Sequence, residues 1–152
     1  MKILFALAAF VCLSGCVTDA ASSYAPATPS GKPEVVIHAP VAQVKSALIS
    51  RAMNRGYSIT RDTDYLLQLD KPSDNFAAQL LLGSEYDSTP NERYVFTFAP
   101  AGNEVRVVAA TMFVTNPGSA FERMTPITTG AGVQRTQVAL DEIKRQVETA
   151  PA

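Results

Sequence analysis

The side chains able to do chemistry in this 152-residue chain are few and scattered. One histidine, His38, ends a short β-rich run. A lone imidazole there reads as a solvated or hydrogen-bonded residue, because metal sites need clustered ligands and no second His supports it. A Ser-His-Asp arrangement through His38 would need an activated serine, and no Gly-x-Ser-x-Gly elbow surrounds any serine. Glu85, Asp87 and Glu92 gather with Ser84, Ser88 and Asn91. Alternating oxygen ligands could hold Ca²⁺, but the Gly-turned loop closed by a bidentate Glu is missing, so a solvated loop is expected. Gly130-Ala131-Gly132 is read as a flexible entry to a helix rather than a phosphate cradle. No catalytic residue, metal site or cofactor is expected. Both cysteines, Cys12 and Cys16, fall among the first 16 residues.

Met1-Lys2 gives a short positive start, residues 3–13 are eleven unbroken apolar positions, and Ser14-Gly15 are small. This is the pattern of a secretory signal peptide. Eleven residues fall well short of the roughly 20 that a spanning helix needs. Leu13-Ser14-Gly15-Cys16 resembles the lipobox of bacterial lipoproteins. The resemblance implies cleavage before Cys16, a diacylglyceryl group on its sulfur and acylation of the new amino group. Each buried CH₂ contributes ~0.8 kcal/mol; one chain anchors marginally, two or more stably. Val17 stands where an Asp would mark inner-membrane retention in Gram-negative lipoproteins, and Asp19 lies too far along. The resemblance therefore implies the outer membrane, facing the periplasm. On this reading Cys12 leaves with the signal peptide and Cys16 becomes a thioether. The folded part then has no thiol for a disulfide, a nucleophile or a metal.

Loss of Lys2 takes the basic count from 13 to 12 against 14 acidic side chains, a formal charge of −2. Arg51, Arg55 and Arg61 are interleaved with apolar residues and offset by Asp62 and Asp64. Nucleic-acid binding would want a basic stripe, so no such partner is expected. Residues 17–33 turn to Ala, Ser, Thr and Pro, a composition that cannot bury enough apolar surface to order itself. The expected organisation is a signal peptide over 1–15, acylated Cys16 with a tether over 16–33, and one domain over 34–150.

Within that domain, residues 34–38 predict a strand with Val35 and Ile37 on one side and Val36 on the other. Pro40 suits a helix's first turn. Val41, Val44, Leu48 and Ala52 then recur at helical spacing through about Arg55, with Ile49 widening the stripe. Gly56 provides an αL stop. Residues 57–60 and 65–69 alternate as a hairpin around Asp62-Thr63-Asp64. Phe76, Ala77, Leu80 and Leu81 predict a short helix capped by Ser73 or Asp74, with a strand as the alternative. Residues 83–91 read as a polar loop. Residues 93–98 alternate, with Tyr94, Phe96 and Phe98 on one side, and Ala101-Gly102-Asn103 turns into the strongest strand, 104–114. After the Asn116-Pro117-Gly118 turn, residues 119–132 look irregular. Val133, Thr136, Leu140, Ile143 and Val147 set out a final helix. The expected fold class is α+β: a two-layer sandwich with an antiparallel sheet of about five strands, an N-terminal helix, a short middle helix and a C-terminal helix.

The run Val35-Val36-Ile37-His38-Ala39-Pro40, then a helix ending Asn54-Arg55-Gly56-Tyr57-Ser58-Ile59, resembles the opening of helix-grip modules. Those occur in an outer-membrane lipoprotein subunit of the β-barrel assembly machinery and in other envelope lipoproteins. The resemblance covers residues 34–70. No Trp lies in the helix, and Tyr65-Leu66 stands where a Gly is often found between the hairpin strands. The resemblance implies a helix-grip-like fold and a scaffolding role, although a fold does not by itself assign function.

Both faces of strand 104–114 are apolar. One carries Val105, Val107, Ala109, Thr111 and Phe113; the other carries Val108, Ala110, Met112 and Val114, with only Arg106 charged. A two-layer fold normally wets its outer face. Either the 115–130 connection, with Phe121 and Met124, covers it, or Val95, Val108, Met112 and Val114 form a surface for a partner protein, peptide or lipid tail. The expected function is a non-enzymatic, lipid-anchored interaction or assembly module with an envelope protein partner. The alternative is a carrier of a small apolar ligand in the groove between sheet and long helix.

Overall fold

The computed structural model describes residues 24–74 and 89–149. Its elements run β1 (Glu34–Ile37), α1 (Val41–Met53), β2 (Ser58–Thr63), β3 (Leu66–Pro72), β4 (Asn91–Ala101), β5 (Glu104–Thr115), β6 (Arg123–Ile127) and α2 (Ala131–Thr149). The strands form one open sheet, ordered β1-β5-β4-β3-β2 with β6 also beside β5. All pairings are antiparallel, and the fold is α+β.

The spine of the sheet is the β4–β5 hairpin. Ala101 lies opposite Glu104 across a two-residue turn, in which Gly102 takes φ 61°. Glycine adopts that left-handed conformation without a Cβ penalty. One edge of β5 serves two partners, β1 along residues 105–108 and β6 along 111–115. The register sets Leu67, Phe96 and Ala109 side by side, and Phe98 beside Val107. These residues form one core with Ile37, Val44, Leu48, Leu140 and Ile143. Burying a side chain of this kind contributes about 1.5–3 kcal/mol. Both helices bury the stripe that their spacing predicts: Val44, Leu48 and Ala52 in α1, and Val133, Thr136, Leu140, Ile143 and Val147 in α2. The α1 stop is also as predicted, with Gly56 at φ 81°.

The free edge of β1 is covered by side chains of α2. The Gln137 amide accepts from the Glu34 N–H at 3.0 Å and donates to the Glu34 carbonyl at 3.1 Å. Lys144 Nζ donates to the Val36 carbonyl at 2.8 Å, and Glu148 accepts from the His38 N–H at 2.9 Å. A helix thus supplies the bonds that a further strand would otherwise make, which protects an edge from unwanted pairing.

Three features depart from the sequence expectations, and one expectation falls outside the described residues. The hairpin turn falls at Asp64-Tyr65, so β2 runs through Thr63, with a register shift between Ile59 and Arg61. The shift breaks the period-2 pattern from which the strand end is read. The segment before Glu34 is bonded to the domain from Tyr24: Pro26 and Pro33 are buried, and the Gly130 N–H donates to the Tyr24 carbonyl at 2.7 Å. Residues 123–127, expected to be irregular, form β6. Four of the five are exposed, so no apolar period marks the strand in the sequence. The predicted short helix at Phe76–Leu81 and most of the loop after it lie outside the described residues.

Candidate functional site

The connection after β5 covers only one end of the outer sheet face, where Glu122 meets Arg93. β6 extends the sheet edge instead, leaving Phe121 79% and Met124 59% exposed. The face away from the core is closed at that end. Val114 is 0% exposed and therefore belongs to no open surface, contrary to the sequence reading. Val95, Val108, Ala110 and Met112 remain half-buried, and Val36 beside Arg106 is exposed.

The closed end holds an ion cluster that hydrophobic patterning does not reveal. Asp70, Arg93 and Met112 lie in register across β3, β4 and β5. Arg93 donates from Nε and Nη2 to the two Asp70 oxygens at 2.8 and 2.7 Å, with only 8% and 7% of these side chains exposed. Its Nη1 donates to Glu122 at 2.8 Å, and the Gly118 N–H donates to the same carboxylate at 2.7 Å. The bond to Asp70 raises the Arg93 pKa above its already high ordinary value. The bond from Arg93, followed by that from Gly118, lowers the Glu122 pKa below its ordinary 4.5. A lowered carboxylate pKa contributes stability that is fully present above the unfolded-state value and lost as pH falls through the folded-state value. The urea midpoint should therefore hold at neutral pH and drop below about pH 4.5, and Glu122→Gln should flatten part of that drop.

His38 is a surface residue, as expected. Its ring is 61% exposed and lies between Glu104 at 3.3 Å and Glu148 at 3.2 Å. Glu148 has a lowered pKa, chiefly through the His38 N–H. Of the Ca²⁺ candidates, Glu85 and Asp87 lie outside the described residues. Glu92 is turned towards two phenols instead: Tyr57 donates to one oxygen and Tyr94 to the other, each at 2.8 Å. Among the described residues no group of three His, Cys, Asp or Glu could hold a metal.

This Tyr-Glu-Tyr cluster forms one wall of a cavity of about 260 Å³ between the end of α1, strands β3 and β4 and the first half of α2. Its floor is apolar, with Leu48, Leu69, Phe96, Leu140 and Ile143. Its rim carries Arg51, Arg55 and Arg135. The two tyrosine rings meet edge to face at 5.4 Å. Burial, followed by the Glu92 charge, pushes the Tyr94 pKa up to about 12, and burial raises that of Tyr57 further. Both phenols therefore stay protonated near neutrality, and each donates to one Glu92 oxygen. Thr136 spends its hydroxyl on the Gly132 carbonyl at 3.0 Å.

No protein-family model matches the chain, and no curated protein matches it.

The arginines at the cavity mouth have no part in the sequence expectations for a binding site. Arg51 and Arg55 are four positions apart, a spacing that puts them on one side of a helix. That was the available signal. Their supposed offset by Asp62 does not occur, since Asp62 pairs with Lys45 and Arg51 pairs with Glu142. Among the described residues no helix is long and apolar enough to cross a membrane. The lipobox residues Leu13, Ser14, Gly15 and Cys16 lie outside the described residues.

Proposed function

We propose that this protein is a lipid-anchored module of the cell envelope that works by binding a partner rather than by catalysis. Cys16 carries the lipid, and the domain faces the periplasm from the outer membrane in a helix-grip-like arrangement. The observation that carries the interaction reading is the half-buried apolar row Val95, Val108, Ala110 and Met112, continued by exposed Val36 and Met124. Contiguous apolar surface beyond scattered single residues marks a site of association. The anchor would keep that surface close to the bilayer. From Cys16 to Tyr24 the chain makes eight steps, which at ~3.6 Å each reach no further than about 29 Å.

Serine at Val108 and Met112 should leave the domain folded while reducing recovery of a cross-linked envelope partner by about tenfold, the scale of a central contact. Quantitative pull-down beside urea unfolding checks this. Unchanged recovery by a folded variant, or outright unfolding, would remove these residues from any interface.

A second reading has its own support. The cavity under the helices falls just short of the roughly 300–1,000 Å³ typical of ligand sites, so a compact ligand fits and a long acyl chain does not.

A further inference from the structure

We infer that the cavity between α1, α2 and the sheet binds a small monocarboxylic acid, with its apolar body on the floor and its carboxylate among Arg51, Arg55 and Arg135. The inference rests on the ligand-binding reading of the cavity and adds the charge and size of what enters it.

Three observations converge. The first is volume: about 260 Å³ is roughly nine water-sized groups at ~30 Å³ each. A CH₂ group occupies similar space, so the body has about nine non-hydrogen atoms.

The second is charge. Three guanidiniums surround the mouth. The nearby carboxylates are Glu142, paired with Arg51, and Glu92, whose two oxygens already accept the tyrosine hydroxyls. Three cations against two anions leave a net positive rim. Among the described residues neither Arg55 nor Arg135 has an ion-pair partner, and both are exposed.

The third is an unsatisfied donor. Arg51 Nε is buried without an acceptor, and it is the sole such side-chain atom among the described residues. Buried polar groups normally have a partner, and leaving one unmade is costly. A carboxylate at the mouth supplies acceptors for the exposed Arg55 and Arg135, and the closed-off Arg51 Nε gains one when that side chain turns towards the cavity. It matches the planar guanidinium in a way that a neutral group does not. A cationic amphiphile would meet three like charges.

The test compares octanoate with octanamide, a neutral molecule of nearly the same shape. Each is titrated calorimetrically into the full-length protein in phosphatidylcholine nanodiscs, with protein-free nanodiscs subtracted. Octanoate should bind about tenfold or more tightly than octanamide, the scale of a hydrogen bond to a charged group. The double variant Arg55→Gln/Arg135→Gln alters exposed side chains and so keeps the fold; it should weaken octanoate binding about tenfold, with a smaller effect on octanamide. Ala139→Phe, which fills the cavity, should abolish binding of both. Equal affinity for the two probes would overturn the charge assignment while leaving a ligand cavity. Binding of neither would overturn the cavity reading with it. Octanoate binding that survives Ala139→Phe in a folded protein would place the acid elsewhere and likewise refute the inference.

Discussion

Arg93→Met should destabilise the fold by about 3–5 kcal/mol, the cost of breaking a buried ion pair by removing one partner. The substitution keeps an apolar stem of similar length, so packing against the sheet is largely retained. What changes is that Asp70, with 7% of its side chain exposed, loses its cation and both of its short hydrogen bonds. Glu122 loses its main partner as well, releasing the turn that starts at Asn116 and closes one end of the outer face. The double variant Asp70→Leu/Arg93→Met should recover most of the loss, because an apolar pair of similar volume often matches a buried ion pair. Urea unfolding of the two single variants and the double variant closes the cycle. A loss under ~1 kcal/mol for Arg93→Met would mean that the pair behaves as an exposed one.

Cys16→Ala is expected to have the largest effect on location and almost none on the domain. An alanine has no sulfur to alkylate, so the precursor should remain unprocessed and the mature, acylated form should disappear from the outer-membrane fraction. The loss is large because each buried CH₂ contributes ~0.8 kcal/mol and two or more chains are removed together. The circular dichroism and urea midpoint of the folded part should not move, since Cys16 is no part of its core. Density-gradient fractionation and intact-mass measurement check both halves. Normal processing and unchanged outer-membrane fractionation of Cys16→Ala would refute the anchor.

Most elements could be located in the sequence because their apolar periods are long and uninterrupted. The stripe Val133, Thr136, Leu140, Ile143 and Val147 is buried at every predicted position of α2. Phe96 and Phe98 of β4 point into the core as their alternation requires. Local signals failed where the deciding contact is remote or where no apolar residue reports it. β6 has four exposed residues out of five and exists because the C-terminal half of β5 offers it an open edge. Tyr24 to Pro33 has the composition of a tether, yet two buried prolines and a bond from Gly130 hold it against the domain. The β2–β3 turn moved because a register shift interrupts the alternation.

The candidate sites divide along the same line. Helical period, strand alternation and turn glycines are properties of neighbouring residues, so the amino-acid order alone determined the two helices, the main strands and an α+β class. It also contains the Leu13-Ser14-Gly15-Cys16 pattern on which the proposed anchor rests. Register and helix packing relate residues far apart in the chain, and only tertiary structure decided what they brought together. It set Arg93 between Asp70 and Glu122, sealed Val114 away from water and gathered Arg51, Arg55 and Arg135 around one apolar cavity. A charge acquires its partner only once the sheet has aligned the strands, because an ion pair depends on distance through space and not along the backbone.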